Sequence, residues 1–178
     1  MRWTHVIIHH SLTTDGVAAD WQAIRRYHMS HKYQGKAMTP IEASALVQAG
    51  KIVEHPWSDV GYHCGVERIN GVVEILLGRG LDQDGAHTTQ SGMNRTGIGV
   101  MICGDFDTVA PDLELLTITA SRCVAPLMKL CGIPLHNLKM HRDFATYKSC
   151  PGWKFPWEQF AEIVAGRLGQ PSSGVVTT

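Results

Sequence analysis

GIGVMICG, residues 97–104, is a continuous apolar run without a single charge. A half-covered strand would alternate; an unbroken apolar run reads as a buried central strand, covered on both faces. Working outward, the chain supplies the rest of such an architecture. Residues 3–9 alternate well enough for a first strand, ending at His9, His10 and Ser11. Residues 62–68 and 72–78 read as a hairpin about Asn70 and Gly71, a dipeptide suited to a tight turn. Residues 138–141 make a last short strand. A helix fits residues 20–30, with Asp20 as its cap and Trp21, Ile24, Tyr27 and His28 on one face. Thr39, Pro40 and Glu42 form a capping box with proline at the first helical position, and Gly50 is a natural stop, so a helix is expected over 40–49. From 111 to about 131, Leu113, Leu116, Ala120, Val124, Leu127 and Cys131 recur at helical spacing, and Pro126 should kink or break that helix. A terminal helix spans 157–168, and residues 170–178 read as a frayed tail. The expected class is α/β: a single mixed central β-sheet flanked by helices, in one domain over residues 1–169.

Charge narrows the function classes. Lys plus Arg and Asp plus Glu each number 16 among 178 residues, so the formal net charge is zero. A chain that neutralises phosphates carries a basic stripe, so nucleic acid is not an expected partner. No apolar run approaches the roughly 20 residues of a membrane-spanning helix, so no membrane insertion is expected. The opening residues MRWTHVIIHHSL hold only a short apolar stretch, interrupted by histidine and lacking a cleavage site, which reads as a strand and not a signal peptide. The five cysteines are odd in number and scattered, a poor basis for a disulfide framework. Cys103, Cys123 and Cys131 lie in apolar segments as small buried hydrophobes. Ten histidines are a rich supply for a metal-using enzyme.

Chemistry concentrates in three stretches. Adjacent residues of a strand face opposite ways, so only one of His9 and His10 can enter a given site. On spacing alone the pair reads equally as strand-end histidines, one solvated and one satisfied in the core. In HRDFATYKSCPG, residues 141–152, His141 and Cys150 can meet only if the intervening loop folds back. A His, His, Cys set leaves the fourth zinc position open for water, the arrangement of a catalytic site. Thiolate with two imidazoles favours zinc over calcium or magnesium. Lys148 would help keep the sulfur ionised and could place a cation where an oxyanion develops. The same segment also reads as a polar surface loop with an ordinary cysteine. A third reading is a Cys nucleophile with His141 as base and Asp143 as orienter, without the local context of known cysteine proteases. In DVGYHCGV, residues 59–66, Tyr62 would stand at the rim of the sheet, as a packing residue or within reach of a metal-bound water. The polar stretch 81–97 is long enough for a functional loop. It makes His87 and Asn94, with His63, candidates for holding substrate in a groove, ordinary loop polarity being the alternative. His10 and His28 read as structural or ligand-orienting.

Taken together and in order, VIIHHS (6–11), DVGYHCGVERINGVVEILLGR (59–79), GAHT (85–88), NRTGIGVMICGDFD (94–107) and HRDFATYKSCPG (141–152) resemble the zinc-dependent N-acetylmuramoyl-L-alanine amidases, among them phage lysozyme-type amidases and catalytic peptidoglycan recognition proteins. The resemblance implies one zinc per chain on His9, His141 and Cys150, with Tyr62 and Lys148 as the non-ligand residues needed for activity. It implies hydrolysis of the amide between N-acetylmuramic acid and L-alanine in peptidoglycan, by a monomer made without a signal peptide and released to the cell wall, as a phage or prophage endolysin is. A cysteine at 150, where cytosolic wall-recycling amidases carry aspartate and non-catalytic recognition proteins lose the ligand, favours a lytic enzyme over either. Two departures stand out. Residues 32–58 are longer than the matching connection in compact phage enzymes, and the path from His141 to Cys150 is one residue longer.

Overall fold

The computed structural model describes residues 2–13 and 21–170. The expected cap at Asp20 and all but the first residue of the expected tail lie outside the described residues. Five strands form the sheet: β1 (His5–His10), β4 (Cys64–Ile69), β5 (Val72–Leu77), β6 (Gly97–Ile102) and β7 (Leu138–Met140), in the order β5-β4-β6-β1-β7. β6 and β1 are parallel, as are β4 and β6 and β1 and β7; only β5 runs antiparallel, closing the edge through its hairpin with β4. All six residues of β6 are buried. That agrees with the apolar run at 97–104, since a strand with parallel neighbours on both sides has both faces covered.

Helices sort by face. Val6, Ile8, Ile98, Val100 and Ile102 point into a large core shared with Leu116, Met128, Phe160 and Val164. The first two of these partners belong to α4 (Leu113–Ile118) and α5 (Ala125–Cys131), the others to α6 (Trp157–Leu168). On the opposite face α1 (Trp21–His28) packs by Trp21 against Met101, Val60 and Cys103. The close approach depends on Gly65, where a Cβ would lie 2.3 Å from the Trp21 ring.

Three expectations are refined. Thr119–Val124 forms a π-helical turn joining α4 to α5, so the helical path continues past Pro126. The wider turn makes room ahead of the proline ring, which would otherwise strike the preceding carbonyls. β4 begins at Cys64, which leaves Tyr62 and His63 just ahead of the strand. The stretch 31–58 holds, besides α2 (Pro40–Gln48), a small hairpin of β2 (His31–Tyr33) and β3 (Lys36–Met38). The capping box of α2 is present, with Thr39 Oγ1 accepting from Glu42 N at 3.3 Å and Glu42 Oε2 accepting from Thr39 N at 2.8 Å. A short α3 (Met93–Thr96) leads into β6.

Candidate metal centre

Parallel pairing creates the site. Ile8 of β1 lies beside Met140 of β7, so the residues that follow on each strand are His9 and His141. Alternation decides between the two histidines at the end of β1. His9 is 1% exposed on the α1 face, whereas His10 Nδ1 accepts from Phe106 N at 3.2 Å on the other. The 141–152 segment folds back as the sequence requires. His9 Nδ1 stands 3.7 Å from Cys150 Sγ, and the ligand atoms of His9, His141 and Cys150 all lie within 4.8 Å of one another.

That donor set suits zinc. With Zn–N of about 2.0–2.1 Å and Zn–S of about 2.3 Å, a tetrahedral site separates N and S by roughly 3.5 Å, close to the 3.7 Å between His9 and Cys150. Both imidazoles are kept neutral, as ligands must be. His9 is pushed well below its ordinary range, by burial first and then by neighbouring histidines. His141 falls to about 4, by burial and then the Lys148 cation. Burial drives the Cys150 thiol up to about 12, against the opposing pull of the His10 N–H (3.4 Å from Sγ), Lys148 and Arg142. Lys148 thus acts on the sulfur in the expected direction, but burial outweighs it. In the metal-free site the thiol holds its proton, and a coordinating cation removes it.

The same geometry disfavours a nucleophilic cysteine. Asp143 Oδ2 accepts from Met140 N at 2.8 Å, capping the turn after β7, so its carboxylate is committed to the backbone. Burial also leaves Cys150 a poor source of thiolate.

Around the trio, Tyr62 sets its ring 5.1 Å from that of His9 and 5.9 Å from that of His28. Burial raises its pKa, with Cys150 and Cys103 adding to the effect, so the phenol is a hydrogen-bond donor and not a base. His28 Nδ1 accepts from Gly61 N at 3.1 Å and so fixes the turn before Tyr62. Lys148 is exposed at the rim, its ammonium over the Tyr147 ring. The three residues expected to hold substrate are tied into the frame. His63 Nδ1 accepts from Gly99 N at 3.0 Å. Asn94 Oδ1 accepts from His87 N and Thr88 N, both at 2.7 Å. His87 is buried against His9, its Nδ1 3.1 Å from His9 Nε2.

Two residues with a part in the site escaped the sequence reading. Arg142 Nη1 donates to Ser149 O and Gly152 O, each at 3.0 Å, and Arg142 N donates to Cys150 O at 2.9 Å. Asp107 accepts from Ser149 Oγ at 2.6 Å and from Trp153 N at 3.0 Å. Together they grip the loop that carries Cys150 from both sides. A charged residue beside each motif, in HRD and DFD, was the available signal.

Comparison with known proteins bears on the family and the fold. A family model described as N-acetylmuramoyl-L-alanine amidase matches residues 1–153. Among solved structures, an N-acetylmuramoyl-L-alanine amidase from Clostridium intestinale superposes with a TM-score of 0.60 at 22% identity, covering 96% of this chain and 88% of that one. Drosophila PGRP-LB gives 0.58 at 24% identity, covering 94% and 84%. A mutant endolysin from Bacillus subtilis gives 0.58 at 22% identity, covering 92% and 86%. At these identities the structural likeness speaks to the fold. No curated protein matches the chain.

Proposed function

We propose, from the premise that the chain belongs to the N-acetylmuramoyl-L-alanine amidase family, that it is a zinc-dependent peptidoglycan hydrolase of the endolysin type, of phage or prophage origin, acting on the cell wall. The observation that carries this reading is the convergence of His9, His141 and Cys150 within 4.8 Å at the ends of two parallel strands. His9, His141 and Cys150 would hold one zinc ion, which supplies Lewis-acid activation of a water and of the scissile carbonyl.

The chain's own groups do the rest. The bond cut is the amide joining the lactyl group of N-acetylmuramic acid to L-alanine. Lys148, whose charge is felt at both His141 and Cys150, brings a cation suited to meet negative charge growing on the carbonyl oxygen. Tyr62, its phenol kept protonated by burial, donates a hydrogen bond to the same oxygen or to the attacking water. Arg142 and Asp107 hold the Cys150 loop so that the thiol keeps its place. His63, His87 and Asn94 serve this frame from behind, shaping the groove floor against which the stem peptide lies.

The test is mass spectrometry of a digest of purified cell wall. New free L-alanine amino termini are expected, about one zinc per chain, and loss of both in Cys150→Ser. New reducing sugars would make the protein a glycosidase instead. Capture by peptidoglycan without products would make it a recognition module, and full zinc and activity in Cys150→Ser would remove the metal centre from the mechanism.

A further inference from the structure

We propose that His87 is a positioning residue that sets the tautomer of His9, so that the His9 nitrogen facing Cys150 carries a lone pair and not a hydrogen. The proposal rests on the reading of His9 as a metal ligand, and its argument runs through three fixed contacts.

Gly97 is the start of the chain of constraint. Its carbonyl oxygen lies 3.0 Å from His87 Nε2, and a carbonyl can only accept, so the hydrogen of that ring sits on Nε2. His87 is 9% exposed, and its side-chain partners among the described residues are a carbonyl, a hydroxyl and another imidazole. None is a carboxylate that would favour a second proton. Its Nδ1 therefore presents a lone pair, to which Thr88 Oγ1 and His9 Nε2 both approach within 3.1 Å. His9 must then carry its hydrogen on Nε2 to donate. What remains on His9 is the Nδ1 lone pair, and Nδ1 is the atom 3.7 Å from Cys150 Sγ. A metal-ligating imidazole has its orientation and tautomer set by what its other nitrogen meets. Here that partner comes from the 81–97 loop.

The backbone around His87 is arranged for this ring. Gly99 sits mid-strand in β6, where the apolar run gives no reason for a residue without a side chain. A Cβ there would lie 2.5 Å from His87 Cδ2 and 2.6 Å from Cγ, and one at Gly85 would lie 2.5 Å from Cδ2. Asn94 Oδ1, at 2.7 Å from both His87 N and Thr88 N, fixes the backbone that carries the ring. A buried ring enclosed by two glycines and bonded through both nitrogens has one orientation open to it. If it only filled space, its two nitrogens would not need to match a carbonyl on one side and His9 on the other.

The deciding measurement is the ring nitrogen spectrum of ¹⁵N-histidine protein without metal, joined to zinc competition against a chromophoric chelator. The wild type should show His9 with its hydrogen on Nε2. His87→Phe keeps an aromatic ring, a bulkier one, but offers no acceptor. It should lose the single tautomer and weaken zinc roughly 10- to 100-fold. His87→Asn, whose oxygen can stand near the position of Nδ1, should restore most of the affinity. Gly99→Ala should act in the same direction as His87→Phe with every ligand and His87 still present. His9 bearing its hydrogen on Nδ1 in the wild type, or zinc held equally by wild type and a folded His87→Phe, would overturn the proposal. If the wild type took up no zinc, the metal reading would fall, while the spectrum would still decide the tautomer.

Discussion

At the scale of single residues, Tyr62 and Lys148 make contrasting demands on the fold. Tyr62 is wedged between His9 and His28, and its ring is also stacked 6.3 Å from that of His87. Tyr62→Phe keeps this ring packing and removes only the hydroxyl. The expected result is unchanged zinc content and melting temperature with kcat lower by about 10²–10³, the loss typical of one stabilising donor. Release of L-alanine amino termini under saturating cell wall measures it, and a kcat within a few-fold of wild type would take Tyr62 out of the reaction. The His, His and Cys residue types were legible in the sequence as a candidate ligand set because metal chemistry restricts such sets tightly. Which of His9 and His10 faces inward was not legible from spacing. Strand parity settles it, since His10 turns to Phe106 while His9 faces Cys150. The roles of His63, His87 and Asn94 were not legible either. A polar residue in a long loop looks the same in sequence whether it faces substrate or, like Asn94, accepts two backbone N–H groups.

Among elements, the loop from His141 to Trp153 has the most to do and the least regular structure. It must return from β7 and present Cys150 to His9, and little apolar packing holds its outer turn, where Tyr147 and Lys148 are exposed. Polar clamps do the holding. The Arg142 guanidinium reaches the carbonyls of Ser149 and Gly152, one on each side of Cys150 and Pro151. Lysine keeps the charge of arginine but not its planar, forked donors. Arg142→Lys should therefore lose zinc to a chelator about tenfold faster, by analogy with the effect of other ligand-supporting contacts, with little change in melting temperature. Zinc release as slow as in wild type would show that Asp107 and the backbone suffice. The sequence made plain that this segment had to fold back, yet not by what means, because the clamp pairs side chains with distant backbone carbonyls. Regular elements were more legible where they were long or marked by caps. β6 announced itself by its apolar run and α2 by its capping box, but β2 and β3 have three residues each, too few for alternation to register. The π turn before Pro126 was hidden for a related reason: apolar spacing is nearly the same on either side of it, and proline marks only that something must give.

For the molecule as a whole, the sheet order and parallel register gather β1, β6 and β7 so that their carboxyl ends share one edge, and helices cover both faces. Covering the sheet buries imidazoles as well as aliphatic chains, and this leaves a signature in stability against pH. His63 is driven to about 4 by burial, with a smaller opposing effect from the Gln83 carbonyl; among nearby charges Arg79 and Arg2 lower it further and Asp84 raises it. His28 is driven to about 4 by burial, then by Lys32 and Arg79. Both lie below the ordinary value of about 6.5 for an imidazole in an unfolded chain. Above that value neither state takes up a proton, and the fold has its full stability. As pH falls from about 6.5 towards about 4, the unfolded chain binds protons that the fold refuses, so stability declines by up to ~1.4 kcal/mol per pH unit for each imidazole. Below about 4 both states are protonated at these two groups, which contribute no further slope, leaving acid unfolding to imidazoles held lower still, such as His9 and His87, and to carboxylates such as Asp107 and Asp112, whose pKa values the fold lowers. Urea midpoints of the metal-free protein at pH 7, 6 and 5 should fall in that order. His63→Asn can accept from Gly99 N as the imidazole does but cannot take a proton, so its decline should be shallower than that of the wild type. An identical slope in wild type and variant would mean that His63 exchanges protons with solvent in the folded state, and that the ring beside Gly99 is open to water.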